Sequence, residues 1–281
     1  VKIGLIDVDG KYPNLALMKL SAWYKAGGHS VDWYDPLFSR CDGVFGSKVF
    51  EFSPEYQYAP VGTVWGGTGV SLATELREPV EAVTELDYSL YPWCDYSLQM
   101  FSRGCIRKCE FCVVPEKEGK IRPVKPLKLN PSGKHIEVLD NNFFANPKWE
   151  QACEWIYSSG KPVNLHGVDA RILTSRHAEA LNKMKHIKQI HIAWDDHACD
   201  MRDTLAGICA MIKPYKLMCY VLIGFGSTQE QDLFRVEALR TLGIDPFVMP
   251  MNKADKYQKR FARWVNHKAT WKSVKWKHYN G

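Results

Sequence analysis

Cys105, Cys109 and Cys112 fall within eight positions of one another in the stretch RGCIRKCEFCVVP, Arg103 to Pro115. Thiols so spaced can be ligands of one metal centre, halves of disulfides, or buried apolar side chains with no common task. Six further cysteines, Cys41, Cys94, Cys153, Cys199, Cys209 and Cys219, are scattered without ligand spacing. The chain opens on VKIGLIDV, a strand rather than a secretory segment, so the expected compartment is the reducing cytoplasm. There, cysteines serve metals or chemistry before disulfides. A zinc site generally takes four ligands from paired knuckles, and no second CxxC occurs. A closed four-thiolate iron–sulfur site needs a fourth cysteine. Three cysteines on one short loop instead suit a [4Fe–4S] cluster with one iron open to a small ligand. Arg103 and Gly104 let the chain turn and bring amides toward the sulfurs. Arg107 and Lys108 offset the charge of three thiolates, which favours deprotonation and reduction. A partial zinc knuckle, or three unrelated thiols, is the alternative.

The spacing CxxxCxxC, with aromatic Phe111 just before the last cysteine, resembles the signature of the radical S-adenosylmethionine (radical SAM) superfamily. The resemblance covers about Leu98 to Asn252 and implies that SAM chelates the open iron through its amino and carboxylate groups. It also implies reductive cleavage of SAM to methionine and a 5′-deoxyadenosyl radical that abstracts hydrogen from a substrate. Cys105, Cys109 and Cys112 are then the cluster ligands and catalytic residues, with Phe111 beside SAM. A reductant such as flavodoxin or ferredoxin is the implied partner.

Further positions come from the same resemblance, at the ends of expected strands. LDNNFF places Asp140 and Asn141 where these enzymes hold the SAM amino group, in a DDNF-like form; an Asx turn is the alternative. GVDARIL places Asp169 and Arg171 at the next strand end. Arg171 can pair with the methionyl carboxylate in two hydrogen bonds, or form a rim salt bridge. AWDDH offers Asp195, Asp196 and His197, with Asp195 the candidate for ribose or substrate. YVLIGFGST offers Ile223 to pack on adenine, and Gly224 and Gly226 for close backbone approach.

These residues require strands that end together, and the rest of the chain has the rhythm to supply them. Its 281 residues suffice for one large core or two modest ones. Residues 1–95 read as a small Rossmann-like or flavodoxin-like α/β domain. Its strands are KIGLIDVD, SVDWYDP, CDGVFGSKVF and VGTVWGG, and Asn14 caps a helix that stops at Gly27–Gly28. Asp87–Pro92 is the expected crossing. From 96 to 252, SLQMFSRG, HIEVLDNNF, VNLHGVDA, QIHIAWDD, KLMCYVLIGF and DPFVMPMN alternate with helices over Lys148–Ser158, Ser175–Met184 and Thr204–Ile212. The helix in TQEQDLFRVEALRTLG is capped by Thr228 or Ser227, with a Ser227–Glu230 box, and ends at Gly243. Six strands with helical crossovers fit an α/β fold, either the radical SAM partial (β/α)6 barrel or an open doubly wound sheet. The functional edge is the carboxyl end of the strands.

The first domain resembles the cobalamin-binding-like domain of some radical SAM enzymes in degenerate form. IDVDGK lacks the histidine of DxHxxG, which argues against histidine-ligated cobalamin and leaves other cobalamin binding open. Only Cys41, with Cys94 at the boundary, could serve a second cluster of the methylthiotransferase kind, which takes three cysteines.

The charge of +6 is unevenly spread. Residues 253–281 carry nine Lys or Arg against Asp255 alone, so the remainder is net acidic by two. In this basic extension Tyr257, Phe261, Trp264, Trp271, Trp276 and Tyr279 alternate with the cations, a mixture suited to nucleic acid. Phe261, Trp264 and Val265 also fall at helical spacing and can form a packed face instead. No apolar run is long enough to span a bilayer, so no membrane partner is expected. Three functions fit: a SAM-cleaving radical enzyme, including cobalamin-dependent methyl transfer or tRNA methylthiolation; an iron–sulfur electron carrier or sensor without SAM; and a zinc-stabilised nucleic-acid module.

Overall fold

A computed structural model describes residues 1–281, which form two compact units, Val1–Glu137 and Val138–Gly281. Both are α/β and both are built on parallel sheet. No helix is long and apolar enough to cross a membrane.

The first unit begins with β1 (Lys2–Asp7), whose four central residues are all buried, as a strand covered on both faces requires. α1 (Leu15–Ala26) follows. Asn14 caps it, its Oδ1 accepting the N–H groups of Ala16 and Leu17 at 3.1 and 3.2 Å, and Gly27 closes it. β2 (Ser30–Trp33), β3 (Gly43–Ser47) and β4 (Val64–Gly66) complete a sheet of order β2-β1-β3-β4, parallel throughout. The reversal of direction at β1 is that of a doubly wound sheet. After α2 (Glu78–Glu81), the segment Asp87–Pro92 is fastened to this layer. Ser21 and Lys25 both donate to Asp87 Oδ2 at 2.6 Å, and Tyr91 Oη donates to Asp7 Oδ2 at 2.6 Å. β5 (Ser97–Gln99) is wholly buried. β6 (Ser102–Arg103), α3 (Val114–Lys117) and β7 (Arg122–Pro123) carry the cysteine loop, and β8 (Ile136–Val138) contains the boundary between the units.

The second unit alternates strictly: α4 (Trp149–Ser159), β9 (Val163–Leu165), α5 (Ser175–Lys183), β10 (Ile190–Ala193), α6 (Arg202–Met211), β11 (Leu217–Ile223), α7 (Gln229–Leu242) and β12 (Asp245–Pro250). Its neighbours follow chain order. His166 N–H donates to Val138 O at 3.1 Å, a parallel bridge joins Val168 to Ile192, and β10, β11 and β12 pair in parallel. No strand reverses the order, so the unit is wound in one direction. Its core combines aliphatic Leu181, Leu205, Leu217, Val221, Ile223, Val236, Leu239 and Val248 with aromatic Phe143, Trp194, Phe261 and Trp264, all fully buried.

α7 starts one residue later than the Ser227–Glu230 box would place it. Thr228 and Gln231 form the reciprocal box instead. Ser227 is occupied otherwise, its Oγ accepting the Gly224 N–H at 3.2 Å.

The extension folds as α8 (Lys256–Asn266) and α9 (Lys268–Ser273). Phe261, Trp264 and Val265 share the buried face, and Trp271 joins them. Asn266 pairs with the backbone of Val248 at 2.7 and 2.9 Å, giving edge strand β12 a substitute neighbour. The aromatic faces that would stack on bases are largely spent on packing. Trp264 meets Trp271 and Trp276 at 4.9 and 5.3 Å, and Arg240 lies 3.6 Å from the Trp271 ring centre.

Candidate functional site

In the first unit, β6 and β7 pair antiparallel through Ser102↔Pro123 and Arg103↔Arg122, closing the loop that holds all three clustered cysteines. Gly104 begins the loop with φ +81°, and a Cβ there would lie 2.4 Å from Lys120 O. Only glycine tolerates that combination of backbone and space. The base is clamped by Glu118, whose Oε1 meets Arg103 Nη2 at 2.9 Å and whose Oε2 accepts the Gly104 N–H at 2.7 Å. Cys105 N–H donates to Gly119 O at 3.2 Å. Lys117 Nζ donates to the carbonyls of Leu72 and Thr74, holding the far side.

Between these fastenings, Cys105, Cys109, Phe111 and Cys112 are all partly exposed, and none of the cysteines is in a disulfide. The Arg107 N–H donates to Cys105 Sγ at 3.4 Å, and Cys112 N–H closes a turn onto Cys109 O at 3.0 Å. Three accessible thiols, one already accepting an amide hydrogen, suit an iron–sulfur donor set, because amide hydrogen bonds to sulfur stabilise and tune such clusters. No three Cys, His, Asp or Glu side chains stand close enough together to hold a metal ion as they lie.

Other cysteines differ in kind. Burial pushes the thiols of Cys94 and Cys219 up, and that of Cys153 up to about 12, so they stay protonated and behave as small core residues. Arg103 also lines a cavity of about 210 Å³ with Lys19, Glu81 and Met100, where Lys19 and Glu81 pair at 3.1 Å.

In the second unit the strand-end residues fall on consecutive parallel strands. Asp140 is buried two positions past Val138, with Asn141 beside it, half-buried. Gly167 passes so close that a Cβ would lie 2.1 Å from Asp140 O and 2.7 Å from the Asn141 carbonyl carbon. Asn142, buried, donates from Nδ2 to Asp169 Oδ2 at 3.3 Å. Neither Gly167 nor Asn142 stands out in the sequence, where each is an ordinary loop residue. Only the packing of one strand end on the next gives them a role.

Arg171 takes the salt-bridge form. Its Nε and Nη2 meet Asp169 Oδ1 and Oδ2 at 2.7 and 3.1 Å, a two-point pair at the end of the strand. Asp195 is turned back onto its neighbour strand, Oδ1 accepting the Leu222 N–H at 3.1 Å. Burial raises its pKa; that amide and the charges of Arg235 and Arg171 pull it down, while Asp169 pushes it up. Asp196 closes a local turn onto the Ala198 N–H. Ile223 is completely buried within the unit. Gly224 and Gly226 both have positive φ; a Cβ on Gly224 would overlap the Gln258 side chain, and one on Gly226 would lie 3.2 Å from His197 Cε1.

The structure thus gathers Asp140, Asn141, Asn142, Gly167, Asp169 and Arg171 along two adjoining strand ends. Asp195 lies at the next strand end, tied to β11 through Leu222. No protein-family model matches the chain, and no curated protein matches it.

Proposed function

We propose that the chain is a radical SAM enzyme whose cluster ligands are Cys105, Cys109 and Cys112. The observation that carries this reading is the C-x3-C-x2-C set on one clamped loop, with partly exposed thiols outside any disulfide and an amide hydrogen bond to Cys105. When bound, a reduced [4Fe–4S] cluster supplies one electron to the sulfonium of SAM, yielding methionine and a 5′-deoxyadenosyl radical that abstracts hydrogen from a substrate.

The chain's own residues divide the remaining work. Glu118 and Gly104 hold the loop closed so that three thiols remain on one short arc. Asp140 and Asn141 are oriented by the backbone of Gly167 and are the candidate partners of the SAM amino group. Arg171 would exchange Asp169 for the methionyl carboxylate, or keep Asp169 and present a neutral pair. Asp195, Gly224 and Gly226 are the candidates for ribose and adenine, while the Ile223 side chain is taken up by the core. The protein selects which hydrogen reacts, and the cofactor pair supplies the radical chemistry.

The one-directional winding of the second unit supports a partial (β/α)6 barrel over a doubly wound sheet, which would reverse its order. The β2-β1-β3-β4 order of the first unit supports a flavodoxin-like domain ahead of it. In the loop after β1, Asp9 is engaged by the Val49 N–H and Ser53, which fastens the position where a histidine-ligated cobalamin domain carries its DxHxxG run.

The test is oxygen-free purification, iron and sulfide analysis, then dithionite and SAM. Four irons per chain and SAM-dependent 5′-deoxyadenosine support the reading. Zinc, or a cluster indifferent to SAM, would remove it.

A further inference from the structure

We propose that the outer face of α8 is a track for the phosphate backbone of RNA, an inference independent of the radical SAM reading. The helix carries Lys256, Lys259, Arg260 and Arg263 at i, i+3, i+4 and i+7, which places all four on one stripe. All four residues are exposed, while Phe261, Ala262, Trp264 and Val265 occupy the opposite, buried face. Such a stripe spans about 10 Å of helix.

Within it, every neighbouring pair at i+3 or i+4 is like-charged, a pattern that destabilises an isolated helix. No acid on α8 relieves it. Asp255, the one nearby carboxylate in the extension, is spent as the N-cap, accepting the Gln258 N–H at 2.8 Å. Elsewhere in the extension, cations do find partners: Lys268 pairs with Asp245 at 2.8 Å and Lys275 with Glu237 at 3.7 Å. Arg260 stacks over Trp276 at 4.7 Å and donates to Tyr279 O, so it is fixed in place. A polyanion would relieve the repulsion that this face builds up.

Two other occupants fit less well. A membrane-surface helix needs an apolar face to insert, and here that face is packed inside the unit. A protein interface centres on aromatic or aliphatic anchors and is poor in lysine, whereas the aromatics here point inward. The burial of Trp264 and Trp271 also changes the expected mode: contact is through phosphates, with little stacking and little sequence preference.

The experiment measures binding of the full chain to a fluorescein-labelled 20-nucleotide single-stranded RNA of mixed sequence across a salt series. The variant Lys256→Gln, Lys259→Gln, Arg263→Gln leaves Arg260 and its stacking intact, and glutamine keeps the helix. Its Kd should rise about 10-fold or more at 100 mM salt, and the log–log salt slope should fall by about two, at about 0.7 per contact. Lys256→Arg with Lys259→Arg should bind as the original does, which separates lost charge from a misfolded helix. A control removing three exposed lysines elsewhere in the unit, Lys185→Gln, Lys188→Gln and Lys213→Gln, should change Kd less than about 3-fold. The proposal is overturned by absence of binding at 50 mM salt, or by equal loss in both triple variants. Stripe-dependent binding to phosphatidylserine vesicles with none to RNA would overturn it as well.

Discussion

Glu118 closes the cysteine loop onto its own beginning: one carboxylate oxygen lies 2.9 Å from Arg103 Nη2, and the other accepts the Gly104 N–H at 2.7 Å. The two groups bracket the arc from Cys105 to Cys112. The clamp fixes where the loop starts and returns, and leaves the thiols accessible.

Replacing Glu118 with alanine should remove about 2 kcal/mol of stability, since a part-buried ion pair and a charged hydrogen bond are lost together. Glu118→Gln can still accept from Gly104 and should lose about half as much. Urea unfolding measures both. Iron bound per chain should fall in the same order, alanine below glutamine below the original. Unchanged stability in Glu118→Ala would show that the clamp does nothing for the loop.

Two glycines should separate cluster from SAM. Gly104→Ala forces a positive φ and a contact with Lys120 O, so reconstituted iron should drop to a small fraction of the original. Gly167→Ala drives a methyl into the backbone of Asp140 and Asn141. It should weaken SAM binding roughly 10-fold or more, about 1.4 kcal/mol, with iron retained. Calorimetric titration of SAM into both reconstituted variants checks this. Iron loss in Gly167→Ala with normal SAM affinity would contradict the division of roles.

Asp195 gives a pH prediction. Burial raises its pKa above the ordinary 3.8, so the folded chain holds this proton more tightly than the unfolded one. Below about pH 3.8 both states are protonated and this residue is neutral to stability. As pH rises from there through the raised value, the unfolded state releases its proton first and stability falls; above that window the loss is complete. Asp195→Asn keeps an acceptor for the Leu222 N–H. It should therefore be more stable than the original above the window and equal to it below. If Asp195 touches ribose or substrate, turnover should fall in this more stable variant. Melting curves from pH 3 to 8, with product formation at pH 7.5, test both halves.

The extension should prove structural before anything else. Trp271→Ala should cost about 3–5 kcal/mol, because it empties an aromatic core shared with Trp264 and Arg240. Deleting Lys268–Gly281 should destabilise the second unit in the same way. A truncation with an unchanged melting temperature would contradict the packing role.

What was legible depended on how local the signal is. Asn14 as a cap and Gly243 as a helix stop need only neighbouring residues, and both act as the sequence implies. The strands from KIGLIDVD to DPFVMPMN were readable as apolar runs between turn residues, and each contributes one strand or a pair of short ones. The Ser227–Glu230 box failed because Ser227 is claimed by the Gly224 turn, a competition that pattern alone does not rank. Strand order, and the meeting of Gly167 with Asp140, depend on which distant segments pack together, so spacing along the chain is silent about them. In the basic extension, helical periodicity pointed to the packed face, while composition pointed to base stacking. Periodicity described the aromatics, because burial of Phe261 and Trp264 gains more than leaving them for a ligand.

A cluster held by Cys105, Cys109 and Cys112 that cleaves SAM leaves a specific product. The most direct measurement is 5′-deoxyadenosine formed by the oxygen-free, iron-reconstituted chain with dithionite and SAM, beside Cys109→Ala treated identically. Product is expected from the original chain, with cluster and product lost together in the variant. Product retained by Cys109→Ala, or a four-iron cluster in the original chain that yields none, would contradict it.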